Sequence, residues 1–402
     1  MSLPLTDKKI VLGISGSIAV YKVADWLRSL LKEGGEVNVI MTEAATRFVS
    51  PLTFAALSGK KVYSSMFEEE NAENIPHISL ARDCDLILIA PATAQTIARL
   101  AHGLADDLLS AVTLATKAKV VVCPAMNSSM YLHPATQANI NKLKEYGYTV
   151  VDPASGLMAC DEKGPGRLPE WDVIRESILQ ALAHQDLHGC PVLITAGPTI
   201  EPIDSVRFIS NRSTGKMGFA LARAAHQRGA QVTLITGPSN LPHPPGVHVV
   251  SVLTANEMHE AVMTRYDRNR VIVKAAAVSD FRPKTVRSEK IKKAAASLTM
   301  TLQPNPDILQ ELGDRGKESK HPPLLIGFAA ESRDHLDEGA RKLRDKNLDL
   351  IVVNDISATD AGFAVDTNRV TILARNSDAS ELPLLSKEET AHRIWNRVVK
   401  ML

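Results

Sequence analysis

Cysteine is scarce in this 402-residue chain: Cys84, Cys123, Cys160 and Cys190 lie far apart, with no C-x-x-C pair. A disulfide framework or a thiolate zinc site is therefore not expected, and a reducing compartment is. Aromatic residues make up only 4%, too few for a surface on which bases stack. No apolar run approaches the roughly 18 residues that mark a membrane-spanning helix. The opening MSLPLTDKKIVLG runs straight into a strand-like segment and lacks the basic and long apolar stretches of a secretory leader. Neither sign of charge dominates: 46 Lys and Arg stand against 45 Asp and Glu, which argues against nucleic-acid binding by bulk electrostatics. The dinucleotide fingerprint G-x-G-x-x-G and the phosphate loop G-x-x-x-x-G-K-[ST] are also missing, which disfavours NAD and a P-loop triphosphatase. What remains is a cytoplasmic protein acting on small molecules, with no membrane or nucleic-acid partner.

With 45% apolar and 23% charged residues, the composition is that of a folded globular protein. Continuous apolar runs mark strands buried on both faces of a parallel sheet: KIVLGIS (9–15), EVNVIMT (36–42), DLILIAPAT (85–93), KVVVCPAM (119–126) and YTVVDP (148–153). Between them an apolar period of 3.6 predicts helices, most clearly through Val20, Val23, Ala24, Leu27, Leu30 and Leu31 before Gly34-Gly35. The same grammar restarts at CPVLITAGPT (190–199), with a helix from 215 and further strands up to RVTILA (369–374). The chain closes on a helix with Ser386 as N-cap and Glu389 at N3. The fold expected is α/β, two Rossmann-like open-sheet domains spanning 1–189 and 190–402. The stretch GLMACDEKGPGRL (156–168) reads as a Gly/Pro-rich loop, and the basic stretch 282–296 as a mobile flap.

In open α/β sheets, ligands bind beyond the carboxyl ends of the strands. There, GISGSIAVYK (13–22) places Gly16 and Ser17 at a helix start, either a phosphate-binding turn or a plain strand-to-helix connection. Thr42 and Thr93 end two more strands, and hydroxyl turns gathered at one edge favour a phosphorylated cofactor. His77, after Pro76, is a structural residue or a base. Asn127 in PAMNSSMY offers an amide to a carboxylate or forms an Asx-turn. Cys160 is a thiol able to donate a proton, or incidental to its loop. In the second half, TAGPTIEPIDSVRFISNRSTGKMG (195–218) carries Arg207 in a long polar loop that opens into a helix, a setting suited to anions. Asp280 and Phe328 follow strands. Lys290 lies in the basic stretch, and Lys342 and Lys346 stand four apart on a helix. These lysines form a solvated face or, with Asp280, hold a nucleoside triphosphate and its cation.

The segments SGSIAVYK, APAT, PAMNSSMY and ACDEKGPGR, with the His77 turn, mark the first half; the second carries the 195–218 segment, AAVSDF, EKIKK, NPDIL, GFAAES and KNLDLIVVND. Together they resemble the bacterial bifunctional coenzyme A biosynthesis family, a flavin-dependent phosphopantothenoylcysteine decarboxylase fused to a phosphopantothenate–cysteine ligase. The resemblance implies FMN near Gly16, Ser17, Thr42 and Thr93, with Cys160 as proton donor, His77 as base and Asn127 as carboxylate anchor. For the second domain it implies that CTP activates the carboxylate of 4′-phosphopantothenate as an acyl-cytidylate, which the amine of cysteine attacks. Asn211 would hold that intermediate and Arg207 the pantothenate side. Lys274, Ala275, Ala276 and Asp280 would hold the cytidine end, beside Asn305, Pro306, Asp307, Ile308 and Phe328. Lys290, Lys342, Lys346 and a divalent cation such as Mg2+, with Asp280 as its ligand, would neutralise the triphosphate. The implied assembly is a dodecamer of decarboxylase trimers and ligase dimers. Tyr131 and Pro304 depart from the Trp and Lys common in the family.

Overall fold

The computed structural model describes residues 3–67, 76–158, 161–292, 299–331, 335–355, 365–375 and 377–402. They divide into two compact units, one ending at Ala183 and one beginning at His184.

In the first unit, β1 (Lys9–Ile14), β2 (Glu36–Met41), β3 (Val62–Tyr63), β4 (Leu86–Ala92), β5 (Lys119–Pro124) and β6 (Thr149–Val150) pair in the order β3-β2-β1-β4-β5-β6. Every pairing is parallel. Strand side chains alternate between two cores: Ile10, Leu12 and Ile14 join Trp26 and Phe54, while Val11 joins Ile97 and Leu109. Both faces are covered, which is why the apolar runs are uninterrupted. The first core takes α1 (Val20–Lys32), α3 (Pro51–Ser58) and α9 (Trp171–Leu182); the second takes α4 (Pro76–Arg82), α5 (Ala94–His102), α6 (Leu108–Ala115) and α8 (Pro134–Glu145). Helix α1 buries Val20, Val23, Trp26, Leu27 and Leu30 as one stripe. It gives way to Gly34 at φ +90, a conformation L side chains rarely adopt. Short helices α2 (Glu43–Thr46) and α7 (Ser128–Leu132), and α4, follow strand ends or turns where periodicity predicts nothing. The stretch read as a loop is instead an antiparallel hairpin, β7 (Ala154–Leu157) with β8 (Lys163–Arg167).

In the second unit the sheet runs β13 (His248–Ser251), β12 (Gln231–Thr236), β9 (Pro191–Ala196), β14 (Val271–Lys274), β17 (Leu324–Glu331), β18 (Leu350–Asp355), β20 (Val370–Ala374), β21 (Ser377–Glu381). The first six are parallel neighbours, and β20 and β21 are antiparallel additions. Helices α10 (Lys216–Gln227), α11 (Ala255–Met263), α12 (Ile308–Glu318), α13 (His335–Asp345) and α14 (Lys387–Val399) accompany it. Ser386 caps α14 by accepting from the Glu389 amide at 3.1 Å. Three small antiparallel pairs stand outside the sheet: β10 (Ile200–Pro202) with β11 (Phe208–Ser210), β15 (Phe281–Pro283) with β16 (Leu302–Pro304), and β19 (Thr367–Asn368) with β22 (Leu385–Ser386).

The basic stretch read as a free flap is tied down over its described part. The amides of Arg287 and Ile291 donate to Ile203 O and Asp204 Oδ2 at 3.1 Å each. Asp204 is a buried carboxylate that also accepts from the amides of Val206 and Arg207 at 2.8 Å. Burial works to raise its pKa, but those amide donors and the Arg207 charge hold it below the usual carboxylate value. The linker residues 184–189 pack with the second unit, where Asp186 accepts from the buried Arg228 guanidinium.

Candidate functional site

The first sheet reverses its strand order between β1 and β4, and a crevice at such a reversal is where open α/β sheets bind ligands. Small and hydroxyl residues crowd this point. Ser15 Oγ donates to Pro91 O at 2.7 Å and accepts from the Thr93 amide at 2.9 Å, joining the two strand ends. Thr93 caps α5 and shares a 3.1 Å hydrogen bond with Thr96. Thr42 caps α2, and its amide donates to Ile14 O at 3.0 Å. Gly16 lies against α2 so closely that a Cβ would fall 2.5 Å from that of Ala44. Helix α1 then starts without a side-chain cap, and Ile18 and Tyr21 beside it are each 60% exposed. Gly16, Ser17, Thr42 and Thr93 thus lie at the ends of three neighbouring strands. Ser15, which ties them together, went unremarked in the sequence because a serine closing an apolar run carries no pattern of its own.

Asn127 caps α7: its Oδ1 accepts from the Ser129 amide at 2.8 Å, which turns Nδ2 outward to donate to Glu162 Oε2 at 2.6 Å. Residues 126–128 lie on the hairpin with almost no room between. The Met126 amide donates to Gly166 O at 3.0 Å. A Cβ on Gly166 (φ +145) would stand 2.2 Å from Met126 O, and one on Gly164 would stand 2.3 Å from Ser128 Oγ. Cys160 falls in the connection between β7 and β8 but lies outside the described residues. His77 opens α4, and its Nδ1 is buried without a hydrogen-bond partner among the described residues.

The second unit holds a cavity of about 700 Å³ where β14, β17 and β18 meet the start of α10. It is lined by Asn211, Lys274, Ala275, Ala276, Asp280, Asn305, Pro306, Asp307, Ile308, Phe328, Lys342 and Lys346, all expected from the sequence. Arg207 and Lys290 do not line it; Arg207 Nη2 donates to Ile291 O at 3.3 Å, beside Lys290. Asn211 donates from Nδ2 to Ala277 O and Val278 O, both at 3.1 Å, so its amide clasps the backbone beyond β14. Asn305 does the same from the other side, donating to Ser279 O at 2.8 Å. Gly215, at φ +81, lets the loop turn into α10 with no side-chain cap on the helix.

Charge in this cavity is arranged in pairs. Asp307 caps α12 and binds Lys346 Nζ at 2.7 Å. Burial works to raise its carboxyl pKa, but the Lys346 and Gln310 hydrogen bonds leave it below the usual range. Lys346 lies one residue past the end of α13, so the pair Lys342 and Lys346 faces one cavity without sharing one continuous helix. Lys274 is 8% exposed; burial drives its pKa down to about 8, opposed by the charge of Asp307 and aided by that of Lys346. Lys216, Asn354, Asn368 and Lys387 also line it; Lys216 and Asn354 belong to the 195–218 and KNLDLIVVND segments, whereas Asn368 and Lys387 come from segments with no recognisable motif. Among the described residues no trio of His, Cys, Asp and Glu side chains is placed to hold a metal ion, and no helix is long and apolar enough to cross a membrane.

Residues 2–183 match the family described as Flavoprotein, and residues 187–402 match the DNA/pantothenate metabolism flavoprotein C-terminal domain. The coenzyme A biosynthesis bifunctional protein CoaBC of Bacillus subtilis strain 168 is 46% identical over 401 residues, covering 99% of this chain and 98% of that one. The CoaBC of Escherichia coli K12 is 44% identical over 405 residues, covering 99% and 98%. A crystal structure of the C-terminal domain of a CoaBC aligns with a TM-score of 0.46 at 41% identity, covering 54% of this chain and 97% of that one. With relatives matched along nearly their whole length, the chain belongs to the family of bifunctional coenzyme A biosynthesis proteins, CoaBC.

Proposed function

We propose that the chain performs two consecutive steps of coenzyme A synthesis, a ligation in the second unit and a decarboxylation in the first. The observation that carries the ligase reading is the 700 Å³ cavity, where Lys274, Lys342 and Lys346 meet the uncapped start of α10. A carboxylate is a poor electrophile, and activating it with CTP requires stabilising a polyanion while pyrophosphate departs. The lysines and helix start supply that charge. Asp280 and Asp307, the acidic lining residues among those described, would meet a divalent cation such as Mg2+ carried in on the triphosphate. Asn211 and Asn305 stiffen the 277–279 backbone that faces the nucleotide. Attack of the 4′-phosphopantothenate carboxylate on the α-phosphorus of CTP releases pyrophosphate and gives the acyl-cytidylate; the amine of cysteine displaces CMP and forms phosphopantothenoylcysteine.

The β1/β4 crevice fits FMN. Ser17, Thr42, Thr93 and the uncapped start of α1 offer donors for its phosphate, and exposed Ile18 and Tyr21 offer apolar surface for its ring. When bound, FMN supplies the two-electron redox chemistry that makes the carboxylate of the cysteine moiety able to leave. The Asn127 amide, now occupied by the Glu162 carboxylate, has the polarity to hold the substrate carboxylate in its place. His77 offers an unpaired ring nitrogen as base, and Cys160 is assigned the proton donor's part by family membership. The activity is placed in the cytoplasm, with decarboxylase trimers and ligase dimers combining into a dodecamer.

One reaction tests this reading: purified protein with 4′-phosphopantothenate, cysteine, CTP and Mg2+, followed by mass spectrometry. Joint appearance of 4′-phosphopantetheine and CMP is expected. Arrest at phosphopantothenoylcysteine would remove the decarboxylase half, and no product at all would remove the ligase half.

A further inference from the structure

Lys387, the first residue of α14, carries an ammonium buried far from the helix surface a lysine normally seeks; the residue is 6% exposed. Its Nζ donates to Val365 O at 2.6 Å, Thr367 O at 3.1 Å and Asn368 Oδ1 at 3.0 Å. An ammonium has donors only, so it fixes the polarity of the Asn368 amide: oxygen toward Lys387, nitrogen away from it. Asn368 Nδ2 accordingly points to α10, where it donates to Met217 Sδ at 3.2 Å. An amide nitrogen has two hydrogens, and among the described residues the second has no partner. Asn368 is only 3% exposed, yet it lines the cavity. A buried N–H without a partner costs stability, and a ligand acceptor removes that cost. The neighbourhood favours an anion as that acceptor, beside the Asp366 carboxylate that already binds Lys216 Nζ at 2.6 Å. Met217 belongs to the first turn of a 12-residue helix without a side-chain cap, and Lys216 precedes it in the same cavity.

We propose that Asn368 binds a phosphate group in this cavity through its Nδ2, and that Lys387 is the positioning residue that turns the amide that way. The proposal deepens the ligase reading and rests on it. Two phosphates are available there, the triphosphate of the nucleotide and the phosphate of the pantothenate substrate.

The test uses the full-length protein and titrates inorganic triphosphate and 4′-phosphopantothenate separately by calorimetry, without turnover. Asn368→Asp keeps the size of the side chain and a partner for Lys387, but replaces the donor by an anion. It is expected to weaken one of the two ligands about 10- to 100-fold, and the ligand affected identifies the phosphate. Unchanged affinity for both, or no binding of either to the unmodified protein, overturns the proposal. Asn368→Ser, less prone to misfold, loses the amide donor without adding charge and is expected to weaken the same ligand. In steady-state ligation, Lys387→Met raises KM for the affected substrate more than it lowers kcat, and Lys387→Arg restores it. A lowered melting temperature with KM unmoved would reduce Lys387 to a structural part and overturn its positioning role. Product formation is scored separately: phosphate binding that depends on Asn368 in a protein that makes no phosphopantothenoylcysteine would retain the site and discard the ligase reading.

Discussion

Asp307 holds two elements with one carboxylate: Oδ1 accepts from the Gln310 amide at 3.1 Å and starts α12, while Oδ2 binds Lys346 Nζ at 2.7 Å. The two roles separate by substitution. Asp307→Asn keeps a cap and loses the ion pair, which is half exposed and therefore contributes little. Chemical denaturation is expected to show a loss of less than about 1 kcal/mol. Asp307→Ala also loses the cap, and should cost about 1 kcal/mol more. Equal losses in the two variants would mean that the cap contributes nothing.

The buried Lys274 predicts a pH dependence. Its folded pKa lies near 8, against 10.5 for an unshifted lysine. Below pH 8 both folded and unfolded chains carry the proton. Between about 8 and 10.5 the unfolded chain binds more protons, so this group makes stability rise with pH there. Nucleotide binding moves the other way, because the cation it uses is lost. The ratio kcat/KM for CTP is expected to fall about tenfold per pH unit above that break. Lys274→Met should start lower and lose most of the decline, with the remainder from Lys387, also held near 8 by burial. A full decline in that variant would exclude Lys274 as its source.

Gly166 predicts a division between the two activities. With Met126 O only 2.2 Å from where a Cβ would stand, Gly166→Ala must lift the hairpin off the Asn127 turn. A displacement of about 1 Å near reacting groups can cost about 100-fold in rate. Decarboxylation of supplied phosphopantothenoylcysteine should fall by that order, with CTP-dependent ligation unchanged. Equal loss of both, or of neither, would contradict this.

A fragment beginning at His184 should fold more stably than one beginning at Cys190. The shorter fragment removes Asp186 and leaves the Arg228 guanidinium, 5% exposed, without its anion. Losing one partner of such a pair costs about 3 kcal/mol. Urea midpoints measure that loss together with the burial of Leu187, which the shorter fragment also gives up, and matching midpoints would show that residues 184–189 are dispensable.

Most strands of both sheets were legible because burial on two faces leaves no polar interruption, as in Ile10–Ile14 and Val271–Val273; the edge strands β3 and β21, two residues long or polar, were not. Helix α12 was not, because Gly313 and Gly316 argue against a helix; yet a Cβ at Gly313 would stand 2.0 Å from Lys346 O. The glycine that obscures the helix is what admits the backbone carrying Lys346 toward Asp307. The β7–β8 hairpin was hidden for a related reason. KGPGR lacks apolar alternation; it pairs with β7, and its glycines lie so close to residues 126–128 that side chains there would not fit. In the cavity, residues directly after sheet strands could be named in advance. Asn368 and Lys387 come together through the β19–β22 pairing, which spacing along the chain does not reveal.

The tight seat of Gly164 and Gly166 bears on how related genomes are read. A protein that keeps the equivalents of His77, Asn127 and Cys160 but carries a larger residue at the position of Gly166 would pass an inventory of reactive groups, and yet its β8 strand could not lie against the backbone of Met126 as it does here. What the hairpin needs at that position is the absence of a side chain, a requirement no inventory of reactive groups records.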